Sequence, residues 1–254
     1  MTTIVLAEVD SDADVDGTPA VPADDADELR NLFDDYNPDV WPLHLVTYAL
    51  GLVAIALIVR RPGPATDRFV TGVLAGVWAW LGIVFFGRYA SQIDPLLSAV
   101  YGALFLFQAA LLPRSGLARG ALRFGPSRGL AGRIGWAALA NALVVYPALG
   151  IVLGHGYPES PLFGMAPCPT TIATFGLLLL AAPPLPAKLL VIPTIWAVLA
   201  TLAAVGHGYP EDIGLFLAAV ATWVAIVGVG RPTRRTESDH VIALDVPTRE
   251  GARA

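Results

Sequence analysis

The run LHLVTYALGLVAIALIV occupies residues 43–59 and ends against Arg60-Arg61. Apart from His44, Thr47 and Tyr48, its side chains are apolar or absent. A helix needs about 20 apolar residues to cross the hydrocarbon of a bilayer, with a range of about 17–25. The run and its flanks therefore predict a membrane-crossing helix. Six more follow. Residues 69–86 lie between Arg68 and Arg88, 95–112 between Asp94 and Arg114, and 134–153 after Arg133. Residues 170–182 end in Pro183-Pro184, 189–205 follow Lys188, and 213–229 end before Arg231. The pattern predicts an all-α fold, a polytopic transmembrane helical bundle of about seven spans. The fifth run is marginal in length. Either its proline tail extends the span or it forms a re-entrant hairpin with the sixth.

Composition agrees. Charged residues make up 15% of the 254-residue chain and mean hydropathy is +0.62, whereas soluble domains carry about 25% charged residues. The net charge of −5 says little, because charge is segregated along the chain. Basic residues fall in alternate connections, and fourteen of the sixteen share one side if the spans alternate. The positive-inside rule makes that side cytoplasmic. It places the N-terminus outside, the C-terminus inside, and the protein in the cell membrane as a multi-pass species.

Three segments are expected. Residues 1–38 read as an acidic, disordered extracytoplasmic tail with a short surface helix over 26–33, because Asp, Ala and Pro bury too little apolar surface to offset ordering entropy. Residues 39–230 form the transmembrane helical domain, and 231–254 a flexible cytoplasmic tail. Met1–Ala7 lacks the basic start of a signal peptide.

The most distinctive motif is repeated. Gly154-His155-Gly156-Tyr157-Pro158-Glu159 recurs as Gly206-His207-Gly208-Tyr209-Pro210-Glu211, each copy after an apolar run and each on the expected outer side. One reading is a helix stop, with glycine in a left-handed terminal position and tyrosine at the interface. The other is a ligand site lined by His155, Tyr157, Glu159, Cys168, His207, Tyr209 and Glu211, joined by His44. Imidazole, thiolate and carboxylate together suit a borderline metal, for which His155, Cys168 and His207 are the candidate ligands. Two histidines on parallel helix ends could also hold a haem. Cys168 itself, in Pro167-Cys168-Pro169-Thr170-Thr171, sits at a helix start, where a thiolate is favoured; the alternative is a small residue in a tight helix entry. With one cysteine, no disulfide within the chain forms.

Polar residues within the runs are few: Gln108, Asn141, Thr194 and Thr201. Such residues line pathways or tie helices together. No phosphate loop, dinucleotide fingerprint or zinc-protease motif is present. The five arginines between residues 114 and 133 suit anionic lipid rather than nucleic acid.

Tyr36-Asn37, Trp41-Pro42, Tyr146-Pro147, the first Gly-His-Gly-Tyr-Pro, Pro161-Leu162-Phe163-Gly164 and the Pro-Cys-Pro-Thr-Thr segment resemble an uncharacterised prokaryotic multi-pass membrane family, a domain of unknown function. The resemblance covers about residues 36–229. It implies a membrane protein without an assigned activity, and names no cofactor. The residues leave four functions open: a protein that binds or transports a small solute or metal ion at its outer face, a redox or haem protein, an accessory subunit packed on a membrane-protein partner or on a second copy, and an enzyme with a Cys168 nucleophile.

Overall fold

The computed structural model describes residues 23–154, 156–207 and 212–229, except the side chains of 23–27, 204–207 and 228–229. Residues 1–22 of the tail expected over 1–38, and the tail expected at 231–254, lie outside it. So do His155, Tyr209, Glu211 and the side chain of His207.

The described chain is all-helical. It runs α1 (Ala23–Asp39), α2 (Leu43–Arg60), α3 (Pro64–Trp80) and α4 (Pro95–Gly116), then α5 (Leu130–Ala140), α6 (Tyr146–Val152), α7 (Pro167–Leu179), α8 (Lys188–His207) and α9 (Ile213–Val229). A wide π-type segment, Leu81–Tyr89, and a short 3₁₀ turn, Ala90–Gln92, continue α3. A second π-type turn, Asn141–Val145, joins α5 to α6. Pro147 follows it; proline has no N–H to donate, and a widened turn accommodates the interruption. Four continuous helices are long and apolar enough to cross a membrane: Leu43–Arg60, Pro64–Gln92, Pro95–Gly116 and Leu130–Val152. The later helices α7, α8 and α9 are also apolar.

Helix α7 is central. It has 13 residues, and all but Cys168 are buried. At about 1.5 Å per residue it spans about 20 Å, short of the roughly 30 Å hydrocarbon thickness. Its surroundings are protein along its whole length, since twelve of its thirteen residues are buried. Gly135 of α5 and Gly176 of α7 let their helices touch backbone to backbone. A Cβ on either would lie 2.8–2.9 Å from the other's carbonyl oxygen. On the opposite flank the Trp78 indole donates to Thr174 Oγ1 at 2.9 Å. Trp78 is thus a core residue, 0% exposed. A similar glycine crossing, Gly82 against Gly102, brings the α3 extension onto α4.

The arginine-rich segment 117–129 is more than a charged connection. Its five flanking and internal arginines are exposed, but Leu122 and Phe124 are buried. Phe124 N–H donates to Asp67 Oδ1, Gly125 N–H to the Leu180 carbonyl, and Ala182 N–H to the Arg123 carbonyl. The segment therefore closes the C-terminal end of α7 and satisfies backbone groups there. The connections near residues 60–68, 117–129 and 180–187 gather at this end of the bundle. Residues 37–41, 89–94, 156–166 and Asp212 gather at the other, tied by side-chain hydrogen bonds.

The N-terminal segment differs from its sequence reading. A short surface helix was expected over 26–33, but α1 runs from Ala23 to Asp39 and buries Leu32, Phe33 and Tyr36, with Val40 beyond its end. Leu29, Leu32, Phe33, Tyr36 and Val40 recur at helical spacing and form one apolar stripe. Asp35 and Asp39 are exposed and Asp34 is half-buried.

Candidate functional site

Asn37, at the end of α1, is fully buried and organises one corner of the α1 end. Its amide nitrogen donates to the carbonyls of Pro158 and, at 3.0 Å, Ser160. Those two bonds fix the amide's orientation. Its oxygen then accepts from His44 Nε2 at 3.0 Å, so His44 is the donor in this pair. Thr47 Oγ1 bonds to the Phe163 carbonyl at 3.1 Å. Gly164 sits over Thr47 with φ +82, where a Cβ would lie 2.5 Å from Thr47 Cβ; both backbone and space demand glycine. The loop is held from within by Thr170 Oγ1, which accepts from Gly164 N–H at 2.8 Å and donates to the Ala166 carbonyl. Residues of the Tyr-Asn, Gly-His-Gly-Tyr-Pro, Leu-Phe-Gly and Pro-Thr-Thr stretches thus meet in one hydrogen-bonded unit.

Tyr36, one residue earlier, accepts from Trp80 Nε1 at 2.8 Å and points its hydroxyl at Met165 Sδ, 3.8 Å away. Burial pushes its phenol pKa well above the usual tyrosine range. Tyr89 OH donates to Asp39 Oδ2 at 2.8 Å. The last turn of α1 is therefore fastened to the rest of the bundle.

Beside this corner lies a cavity of about 390 Å³. Helix α1 supplies one wall through Glu28, Leu29, Leu32 and Phe33. The α3 extension adds Phe85 and Phe86, α4 adds Asp94, Ser98 and Tyr101, and α8 adds Trp196 and Ala200. Ala166, Pro167 and Cys168 enter from the start of α7, and Tyr146 and Asp212 complete it. Trp196 is the centre of a ring cluster. Phe105, Tyr101 and Phe86 stand edge-on to it at centroid distances of 5.1, 5.3 and 5.5 Å. Asp212 is buried and accepts from Tyr146 OH at 2.5 Å. Asp94 caps α4, its Oδ1 accepting from the N–H groups of Leu96 and Leu97.

The sequence-derived candidates divide between these places. Cys168 lines the cavity, half-buried. Tyr157 is exposed and packs its ring edge near Trp41 and His44, with centroids 6.4 and 6.1 Å away. Glu159 is half-buried, and neither it nor Tyr157 belongs to the cavity wall. His44 is bound to Asn37 and does not line the cavity. Among the described residues no three of His, Cys, Asp and Glu gather as metal ligands. The proposed partners His155 and His207 lie outside the described side chains. Gly154 has φ +91 just beyond the last residue of α6, so the first copy of the repeat does stop a helix with a left-handed glycine.

Several wall residues escape a reading by motif. Phe33 and Leu32 carry a signal, the helical stripe in the acidic segment. Trp196 carries none, since a tryptophan within an apolar run reads equally as core or lipid-facing. The polar residues within the runs tie helices together. Gln108 Nε2 donates to the Leu189 carbonyl at 2.9 Å, and Trp223 donates to Thr194 Oγ1 at 2.9 Å.

An all-helical bundle with several membrane-length apolar helices and a cavity at one end defines the class. Residues 27–237 match the model of a family of unknown function, DUF6064, and the chain belongs to that family. The match begins within α1, earlier than the residue 36 expected from motifs, which agrees with the helix being part of the fold. No curated protein and no solved structure matches the chain.

Proposed function

We propose that the protein is a multi-pass cell-membrane protein, with its N-terminus outside and about seven spans, that binds a small solute at its extracytoplasmic face as a receptor or transporter. The observation that carries this reading is the cavity of about 390 Å³ beneath α1. Small-molecule sites are concave, largely apolar and furnished with a few convergent polar groups, and run from about 300 to 1,000 Å³. The apolar wall, with Asp212, Tyr146, Ser98 and Cys168 in it, fits that description. The arginine-bearing connections gathered at the opposite end support an inward placement of that end.

The test uses the full-length protein in lipid nanodiscs, screened by thermal shift against small cationic, neutral and anionic solutes. At least one solute is expected to raise the unfolding temperature. Ala200→Phe, which adds bulk inside the cavity, is expected to stay folded and lose that shift. If nothing in any charge class binds, or if Ala200→Phe binds as well as the natural protein, the reading is wrong.

A further inference from the structure

Resting on that reading, we infer that the solute is a small organic cation, an alkylated ammonium held against the Trp196 ring cluster and compensated by carboxylates of the cavity wall.

Two independent features of the wall carry this. The first is charge. Glu28, Asp94 and Asp212 line the cavity, and among its described lining residues none is Lys, Arg or His. A wall that carries carboxylates, with no cation among its described lining residues, favours a positively charged occupant. The second is aromatic surface. Phe33, Phe85, Phe86, Tyr101 and Trp196 share the same space. Ring faces attract cations, indole most strongly, and desolvation strengthens the attraction. An alkylated ammonium uses both features, because its methyl groups suit apolar walls and its charge suits rings and carboxylates.

The opposite charge fits poorly. Three helices begin at this cavity, and a helix start with free N–H groups attracts anions. The start of α4 is already occupied by Asp94, and Asp212 precedes the start of α9. At α7 the first and third residues are Pro167 and Pro169, which have no N–H, so Cys168 is the lone donor of that opening turn.

Butyrylcholine is a suitable probe, with its uncharged carbon isostere 3,3-dimethylbutyl butyrate and the anion hexanesulfonate as comparisons. Titration calorimetry in nanodiscs is expected to show butyrylcholine binding roughly tenfold or more tighter than the isostere, and weakening as salt rises. Asp94→Asn keeps an efficient helix cap but removes the charge, and is expected to weaken butyrylcholine several-fold without affecting the isostere. Trp196→Phe preserves a ring with a weaker face and is expected to weaken the cation selectively. Equal or tighter binding of the isostere or sulfonate, lost in Ala200→Phe, overturns the cation assignment and leaves the solute-binding reading standing. Failure of every solute in the wider screen overturns both.

Discussion

The two ends of α7 solve opposite problems. Toward its C-terminus, Gly176 meets Gly135 backbone to backbone, Trp78 bonds Thr174, and segment 117–129 closes the helix end. Little space is left there. Toward its N-terminus, Pro167 and Cys168 face a cavity propped open by Trp196, Tyr101 and Phe86. Small residues bring backbones together, whereas large rings packed edge-on hold them apart. The contrast separates the part that sets stability from the part with room for a ligand.

The sharpest way to break the contrast is Gly176→Val. Its Cβ alone would lie 2.9 Å from the Gly135 carbonyl oxygen and 3.1 Å from Leu139 N. We expect destabilisation on the order of 3 kcal/mol, read as loss of folded protein in detergent. Asn37→Ala comes next. It strips hydrogen bonds from His44, Pro158 and Ser160, all at the α1 end. A loss of about 2–3 kcal/mol is expected, with faster proteolysis of the 156–166 loop. Trp78→Phe removes one buried hydrogen bond and some ring volume at the sealed end, and about 1–2 kcal/mol is expected from thermal unfolding. Ala200→Phe, beside the cavity, should cost about 1 kcal/mol or less, because the added ring has open space to enter. If Ala200→Phe proves as damaging as Gly176→Val, the cavity is part of the structural core and the contrast fails.

Tyr36 sharpens the comparison through pH. Its folded-state pKa is raised, so its contribution to stability is fully present below the ordinary tyrosine value near 10 and lost as pH rises further. Tyr36→Phe should therefore unfold less steeply in alkali than the natural protein, as followed by circular dichroism.

Much of the helical scaffold was legible because apolar runs flanked by Arg60-Arg61, Arg68 and Arg114 carry a strong signal. The left-handed Gly154 was legible too, because glycine after an apolar run has few other uses. The role of α1 was not. Its Asp and Glu residues dominate composition, while its apolar stripe is only five residues wide and gains meaning only against the α3 extension and α8. The use of His44 was equally hidden. Read alone it suggested a ligand cluster with Cys168, but its partner is the amide of Asn37, seven residues before it. The ring cluster around Trp196 assembles from α3, α4 and α8, and no local pattern announces such an encounter.

The fastening of α1 has a consequence for how the protein is made. Asn37 waits for Ser160, 123 positions downstream, and Tyr36 for Met165. A ribosome delivers α1 first, yet its seat does not exist until the loop of residues 156–166 has been made and packed. The amphipathic helix must stay soluble through that interval, and its dense aspartate coat suits it to wait. The cavity is thus the last room to receive its wall.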